Sequence, residues 1–210
     1  MDKKRILQLL LFIVLSFLIW SLIKPNDYTV WLLEIFPALI GISLLAVTYT
    51  RFEFTTMVYI FVAIHSIILI IGGHYTYAEN PLFNWIRDYF HLSRNYYDRL
   101  GHVAQGLFPA IIIREFLLRK SPLKNGKLLF FIVICMVLAV SAGYELFEWG
   151  AALVVDPGAG DAFLATQGDV WDTQWDMLLA LLGGIFSVLI FSKEHDRELK
   201  GLRVKLGAKK

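Results

Sequence analysis

The chain has 210 residues, 57% of them hydrophobic, and a formal net charge of +2. That length could hold one or two ordinary domains, but the composition is far from that of a soluble protein and makes a bilayer the first expectation. So small a charge excess, spread over loops, argues against a nucleic-acid partner, and the single cysteine, Cys135, rules out disulfides and thiolate metal sites and reads as a packing residue in the fifth span.

Six stretches approach the roughly 20 apolar residues a helix needs to cross the hydrocarbon. They are residues 6–23, 30–49, 55–72, 100–117, 128–150 and 173–191. A closed barrel would show apolar and polar residues alternating over short strands, and these continuous runs do not. The fold class expected is therefore all-α, a polytopic membrane helical bundle of about six transmembrane helices forming one domain over residues 1–210. The first span follows a basic segment, but its apolar run is long and no small-x-small cleavage pattern precedes Pro25, so it is read as a span. Sixteen of the 20 basic residues fall on one side of these spans, leaving only Lys24, Arg87, Arg94 and Arg99 on the other. The positive-inside rule then puts both termini in the cytoplasm. The basic tail, residues 193–210, reads as a solvated cytoplasmic helix or a frayed end.

Two outer loops are long, 73–99 and 151–172. In the first, Leu82, Trp85, Ile86, Tyr89 and Phe90 recur at helical spacing, opposite Asn84, Arg87, Asp88 and His91. That pattern predicts a short helix lying in the outer interface, although an aromatic belt alone would also account for the rings. The second contains Asp156-Pro157-Gly158-Ala159-Gly160-Asp161, a turn-forming composition expected to make a lid or a linker.

Ionisable side chains inside spans point to function, because burying an unpaired charge is costly. Here they converge. Span three ends in G-G-H-Y-T-Y, with His74, Tyr75 and Tyr77. Span four opens with Asp98, Arg99, His102 and Gln105, of which Asp98, His102 and Gln105 share one helical face. Span five ends in Y-E-L-F-E-W, with Glu145 and Glu148, and span six opens with Asp169, Asp172 and Asp176. The orientation puts all four groups at the outer end. Asp98, Asp169 and Asp172 also suit helix starts as caps, His102 could be a hydrogen-bonded core histidine, and His74 could merely complement a helix C-terminus. Glu145 and Glu148 stand at a helix C-terminus, where the dipole disfavours carboxylates, so something must compensate them. Protons or bound cations are the candidates, and oxygen ligands with imidazole suit a divalent metal: Zn, Mn, Fe or Mg. No H-E-x-x-H, P-loop, G-x-S-x-G or G-x-G-x-x-G motif is present.

The segments G-G-H-Y-T-Y (72–77), Y-Y-D-R-L-G-H (96–102), Y-E-L-F-E-W (144–149) and G-D-V-W-D-T-Q-W-D-M (168–177) resemble the YjdF-type bacterial inner-membrane proteins over essentially the whole chain. The resemblance implies a multi-pass protein of the bacterial cytoplasmic membrane and implies no activity. A looser likeness runs to VanZ-like proteins, whose last helices carry D-x-x-x-H, then Glu, then a D-x-x-x-[DN]-like run with glycines. Asp98/His102, Glu145 and Asp172/Asp176 with Gly183-Gly184 follow that order. Glu148 and Asp176 depart from it, standing where Gln and Asn are expected. With those departures the likeness implies envelope or lipid chemistry rather than drug tolerance.

Three functional readings follow. The first is a metal-dependent hydrolase or transferase on a lipid-linked or phosphorylated envelope substrate at the outer face. In it His102, Glu145, Glu148, Asp172 and Asp176 bind metal, and His74 or Asp98 acts as general base. Arg94 or Arg99 receives a phosphate, and Tyr75, Tyr77, Gln105 and Asp169 give support. The second is a proton- or cation-coupled transporter, against which stands the nearly apolar inner half of the spans, with only scattered residues such as His65 and Ser187. The third is a non-catalytic binding or assembly protein held by interhelical hydrogen bonds.

Overall fold

The computed structural model describes residues 2–207, and among these there is no strand. Eight α-helices follow in order: α1 (Lys3–Ser21), α2 (Tyr28–Thr48), α3 (Thr56–Tyr75), α4 (Pro81–Phe90), α5 (Tyr97–Lys120), α6 (Lys127–Ala152), α7 (Pro157–Leu164) and α8 (Asp172–Gly207), with a 3₁₀ turn at Tyr77–Glu79. The chain is an all-α polytopic membrane bundle. α1, α2, α3, α6 and α8 are long and apolar enough to cross a membrane.

The remaining expected span, 100–117, falls on α5. It has the length but not the hydropathy, because Asp98, Arg99, Arg114, Glu115, Arg119 and Lys120 dilute it. Its neighbours accommodate these charges: α3, α6 and α8 pack around α5, and Asp98, Arg99, Arg114 and Glu115 are buried. Its most extensive contact is with α8. There Gly106 and Gly183 let the two backbones touch: a Cβ on Gly106 would lie 1.8 Å from the Ala180 carbonyl oxygen, and one on Gly183 2.3 Å from that of Val103. Small residues at a crossing permit this approach in membranes, where close packing replaces the hydrophobic effect between helices.

The capping chemistry sets the ends. Asp27 caps α2 by accepting from the amides of Thr29 and Val30. Asn80 caps α4, with Pro81 in its first turn, and α4 presents Leu82, Trp85, Tyr89 and Phe90 outward. The expected interfacial helix is thus an amphipathic one. The loop expected as a lid or linker instead contains α7, started by the same device: Asp156 accepts from the Gly158 amide and Pro157 follows. Phe163 of α7 is buried against Val30, Ala151 and Ala159. α8 runs unbroken past its membrane stretch. His195, Leu199 and Leu202 are buried on one face, so this part of the tail is docked rather than solvated; residues 208–210 lie outside the described residues. Cys135 lies on the exposed face of α6, among residues turned to lipid rather than in the packing.

Candidate functional site

At one end of the bundle the N-termini of α5 and α8 meet the C-terminus of α6. Two arginines bind most of the aspartates there. Arg94 Nη1 donates to Asp172 Oδ1 at 2.6 Å and its Nη2 approaches Asp98 at 3.5 Å, while the carbonyls of Ala165 and Thr166 accept from the same guanidinium. Arg99 donates to Asp176, to Asp172 Oδ1 at 2.8 Å, to Asp169 at 3.1 Å and to the Asp172 carbonyl at 3.1 Å. Most nitrogens of the two guanidinium groups are thus bound to protein acceptors, but Arg94 Nε is buried without a partner, and both arginines line a cavity with Ser93, Tyr96 and Gln167.

The α7–α8 loop is fastened over these arginines. Asn95 donates its backbone amide to Gln167 Oε1 at 2.8 Å, and Gln167 Nε2 donates back to the Asn95 carbonyl at 2.9 Å. The Asn95 side chain also ties Asn80, Asn84 and the Tyr97 amide together. Neither residue stood out in the sequence, since an asparagine and a glutamine in loops carry no periodic or charge signal. Replacing Gln167 with alanine is expected to leave the Asn95 amide and carbonyl unpaired and cost about 1–3 kcal/mol each. Hydrogen exchange at residues 165–168 should rise well before the spans are affected.

His102 stands between this arginine-bound group and a second, acidic one. Its Nε2 lies 3.4 Å from Asp98 Oδ1 and 3.8 Å from Asp176 Oδ1; its Nδ1 lies 3.3 Å from Gln105 Oε1 and 3.7 Å from Glu145 Oε1. The ligand atoms of His102, Glu145 and Glu148 all fall within 4.8 Å of one another, as do those of Asp98, His102 and Asp176. Glu145 Oε1 is buried with no hydrogen-bond partner.

Glu34 of α2 adds a further carboxylate, 1% exposed, with its Oε2 also unpartnered and the Tyr77 hydroxyl beside it. Burial, reinforced by Glu34, pushes the Tyr77 phenol well above its usual range, so it stays a neutral donor. The Tyr77 ring is held between Gly72, which is too close to it for a side chain, and Gly101, where a Cβ would lie 3.0 Å from the ring. Glu34 was legible in principle: it is the only charged residue within 30–49. Around Glu34, Asp98, Glu145, Glu148, Asp169, Asp172 and Asp176 the described side chains with a fixed positive charge are Arg94 and Arg99, which leaves carboxylates in excess.

His74 and Tyr75 lie elsewhere. His74 donates through Nδ1 to the Ser21 carbonyl, 3.0 Å away, and its ring rests on Trp20 and Tyr75. It closes α3 against α1, in keeping with a histidine that complements a helix C-terminus, and so is removed from the cluster where a general base would work.

The opposite end is not apolar, contrary to the expectation from the sequence. Glu115, fully buried, accepts from the Thr55 amide and hydroxyl, from Arg119 at 2.6 Å and from His195 Nε2 at 3.1 Å. Arg114 donates to His195 Nδ1, Asn125 and Asp196, each at 2.7 Å. A guanidinium can only donate, so His195 Nδ1 is the acceptor and its proton sits on Nε2, facing Glu115. Lys3, bonded to Glu53 and to the Phe54 carbonyl, shows that α1 begins at this same end. The sequence hid this network because its members were counted as loop charges and tail.

A family model described as predicted membrane protein, DUF2238, matches residues 6–197. The chain belongs to this family. The inner membrane protein YjdF of Escherichia coli (strain K12) is 45% identical over 183 residues, 87% of each chain. No solved structure matches. With its spanning helices, this DUF2238 member is a multi-pass protein of a bacterial inner membrane.

Proposed function

We propose that this chain is a metal-dependent hydrolase or transferase acting on a lipid-linked or phosphorylated envelope substrate, with its site at the outer face of the inner membrane. The observation that carries the reading is the excess of buried carboxylates left after Arg94 and Arg99 are paired, centred on His102, Glu145 and Glu148. Unpaired carboxylates in a dry site need protons or a cation. One imidazole nitrogen and two carboxylates suit Zn, Mn, Fe or Mg, and the unpartnered Glu145 Oε1 faces the shared space. Asp98 at His102 Nε2 supplies what a histidine ligand requires on its other nitrogen, an acceptor that fixes the ring and leaves Nδ1 toward the glutamates. Asp172 and Asp176, expected as ligands, also anchor the arginines that hold α5 and α8 in register, and Asp176 keeps its place beside His102 and Asp98. A divalent cation held there would polarise a phosphoryl or carbonyl oxygen and acidify a bound water. The outward orientation rests on the distribution of basic residues.

Elemental analysis of chelator-free protein tests the reading. About one metal ion per chain is expected, falling by roughly tenfold in Glu145→Gln/Glu148→Gln, which keeps side-chain size and removes two anionic ligands. A folded wild-type protein without metal would overturn it.

That result would favour proton- or cation-coupled transport, to which the second network lends support. Glu115, Arg114 and His195 lie at the far end of the same α5–α8 pair, and the buried hydroxyls of Ser141 and Ser187 have no partner. Flux into proteoliposomes driven by a pH gradient is the corresponding measurement.

A further inference from the structure

A cavity of about 590 Å³ lies beneath the cluster, lined by α2, α3, α5 and α6. That volume is in the range of pockets that enclose small organic ligands. No Lys, Arg, Asp or Glu lines it; its polar end is formed by Tyr77, His102, Gln105 and Tyr144, and the rest is apolar apart from His65 and Ser66. It opens sideways. α2 packs on α3 and α7, α6 on α5, α7 and α8, and the seam between α2 and α6 is bridged by the stacked rings of Phe36 and Phe147, 6.0 Å apart.

The glycines separate into two kinds. Gly72, Gly106 and Gly183 are required by neighbours that a Cβ would strike. Gly41 and Gly143, both on the cavity wall, are not: a Cβ on Gly41 would meet only Val62, at 4.0 Å, and one on Gly143 nothing within 4 Å. A glycine inside a helix costs about 1 kcal/mol relative to alanine, so two that no neighbour needs, facing one space from its two walls, keep that space open. His65 Nε2 and the Tyr144 hydroxyl, both buried and without a hydrogen-bond partner, belong to the same wall.

We propose that this cavity binds the hydrocarbon chain of a membrane lipid, which enters between α2 and α6 and brings its polar head beneath His102. The proposal rests on the reading above for the chemistry at the head, whereas chain binding stands on the cavity alone. The walls come from mid-span residues, so the opening faces hydrocarbon, where lipid chains are the abundant occupant. A peptide there would carry unpaired backbone groups, and a lining that is apolar over most of its length and holds no carboxylate, lysine or arginine suits a hydrocarbon chain better than an ion.

The test uses the whole protein in phospholipid nanodiscs doped with a diazirine-tailed phosphatidylglycerol, and in parallel with a diazirine-tailed polyprenyl phosphate. Cross-links are mapped by mass spectrometry. Labelling of the deep wall, His65 and Phe108, is expected from at least one probe, and which one labels tells a bulk phospholipid from a lipid-linked precursor. Gly143→Phe, which fills the cavity, should reduce that labelling about tenfold. Gly150→Phe, at another open glycine of α6 away from the cavity, should not. Gly41→Phe, on the opposite wall, should repeat the loss and decides the matter if Gly143→Phe does not fold. Labelling should persist in Glu145→Gln/Glu148→Gln, so loss of metal and loss of chain binding are read separately. A deep wall left unlabelled by both probes, or labelled equally in the filled variants, would overturn the proposal.

Discussion

Replacing Arg99 with methionine is expected to destabilise the protein more than any other single change at the site, by about 3–5 kcal/mol. Methionine keeps most of the side-chain volume and removes a guanidinium that bonds Asp176, Asp172, Asp169 and the Asp172 carbonyl. Buried ion pairs add little net stability over apolar substitutes, but removing one partner strands the others in low dielectric. Here the stranded groups are aspartates already crowded by Asp98. Arg99→Lys should recover only part of the loss, because an ammonium cannot make the forked contacts. Arg99→Met combined with Asp172→Asn and Asp176→Asn should recover more, because it removes the stranded charge itself. The measurement is the thermal unfolding midpoint in detergent, lowered by roughly 10 °C in the single variant. An unchanged midpoint would mean that protons or a cation already compensate these aspartates.

The second large effect concerns the α5–α8 crossing. Gly106→Val puts branched carbons where the Ala180 carbonyl now lies, and neither backbone can give way without parting the helices. Overpacking of this kind costs about 1–3 kcal/mol and more where backbone is the obstacle. The consequence for function is larger than for stability, because His102 lies one turn from Gly106, and Asp176 two turns from Gly183 on the facing helix. Separating these helices draws Arg99 from Asp176 and His102 from Asp98, contacts whose distances leave little slack. Gly106→Val should therefore lose metal as well as stability, while Gly143→Ala, whose added methyl meets nothing, should hold both or gain up to about 1 kcal/mol. Retention of full metal content in Gly106→Val would show that the proposed cation site does not depend on the crossing.

Much of the bundle was readable without coordinates, because a span needs only length and apolarity, both local properties of the chain. The same holds for α4, whose rings recur at helical spacing. α7 was missed although Asp156-Pro157 has the form of a cap followed by a first-turn proline; glycines in the next turn gave it the look of a loop. α5 was read as an ordinary span, and its charges were assigned to the ends rather than to the interior.

The convergence of His102, Glu145, Glu148, Asp172 and Asp176 was visible because topology alone brings alternate helix ends to one side. Which of them stay free was not. Arg94 and Arg99 reach Asp172 across more than 70 residues of chain, and only the packed arrangement decides that these pairs form and that Glu145 and Glu148 are left over. Glu34, one charge in an otherwise apolar helix, became part of the cluster through its neighbours, and His74 left it for the same reason. What the sequence by itself determined is the membrane, the number and alternation of most helices, and the end of the bundle at which His102 and its carboxylates gather, since hydropathy and charge distribution act residue by residue. Only the tertiary structure decided the partners of each charge, the second network around Glu115 and His195, and the lateral cavity, because these depend on distances between helices that no local pattern encodes.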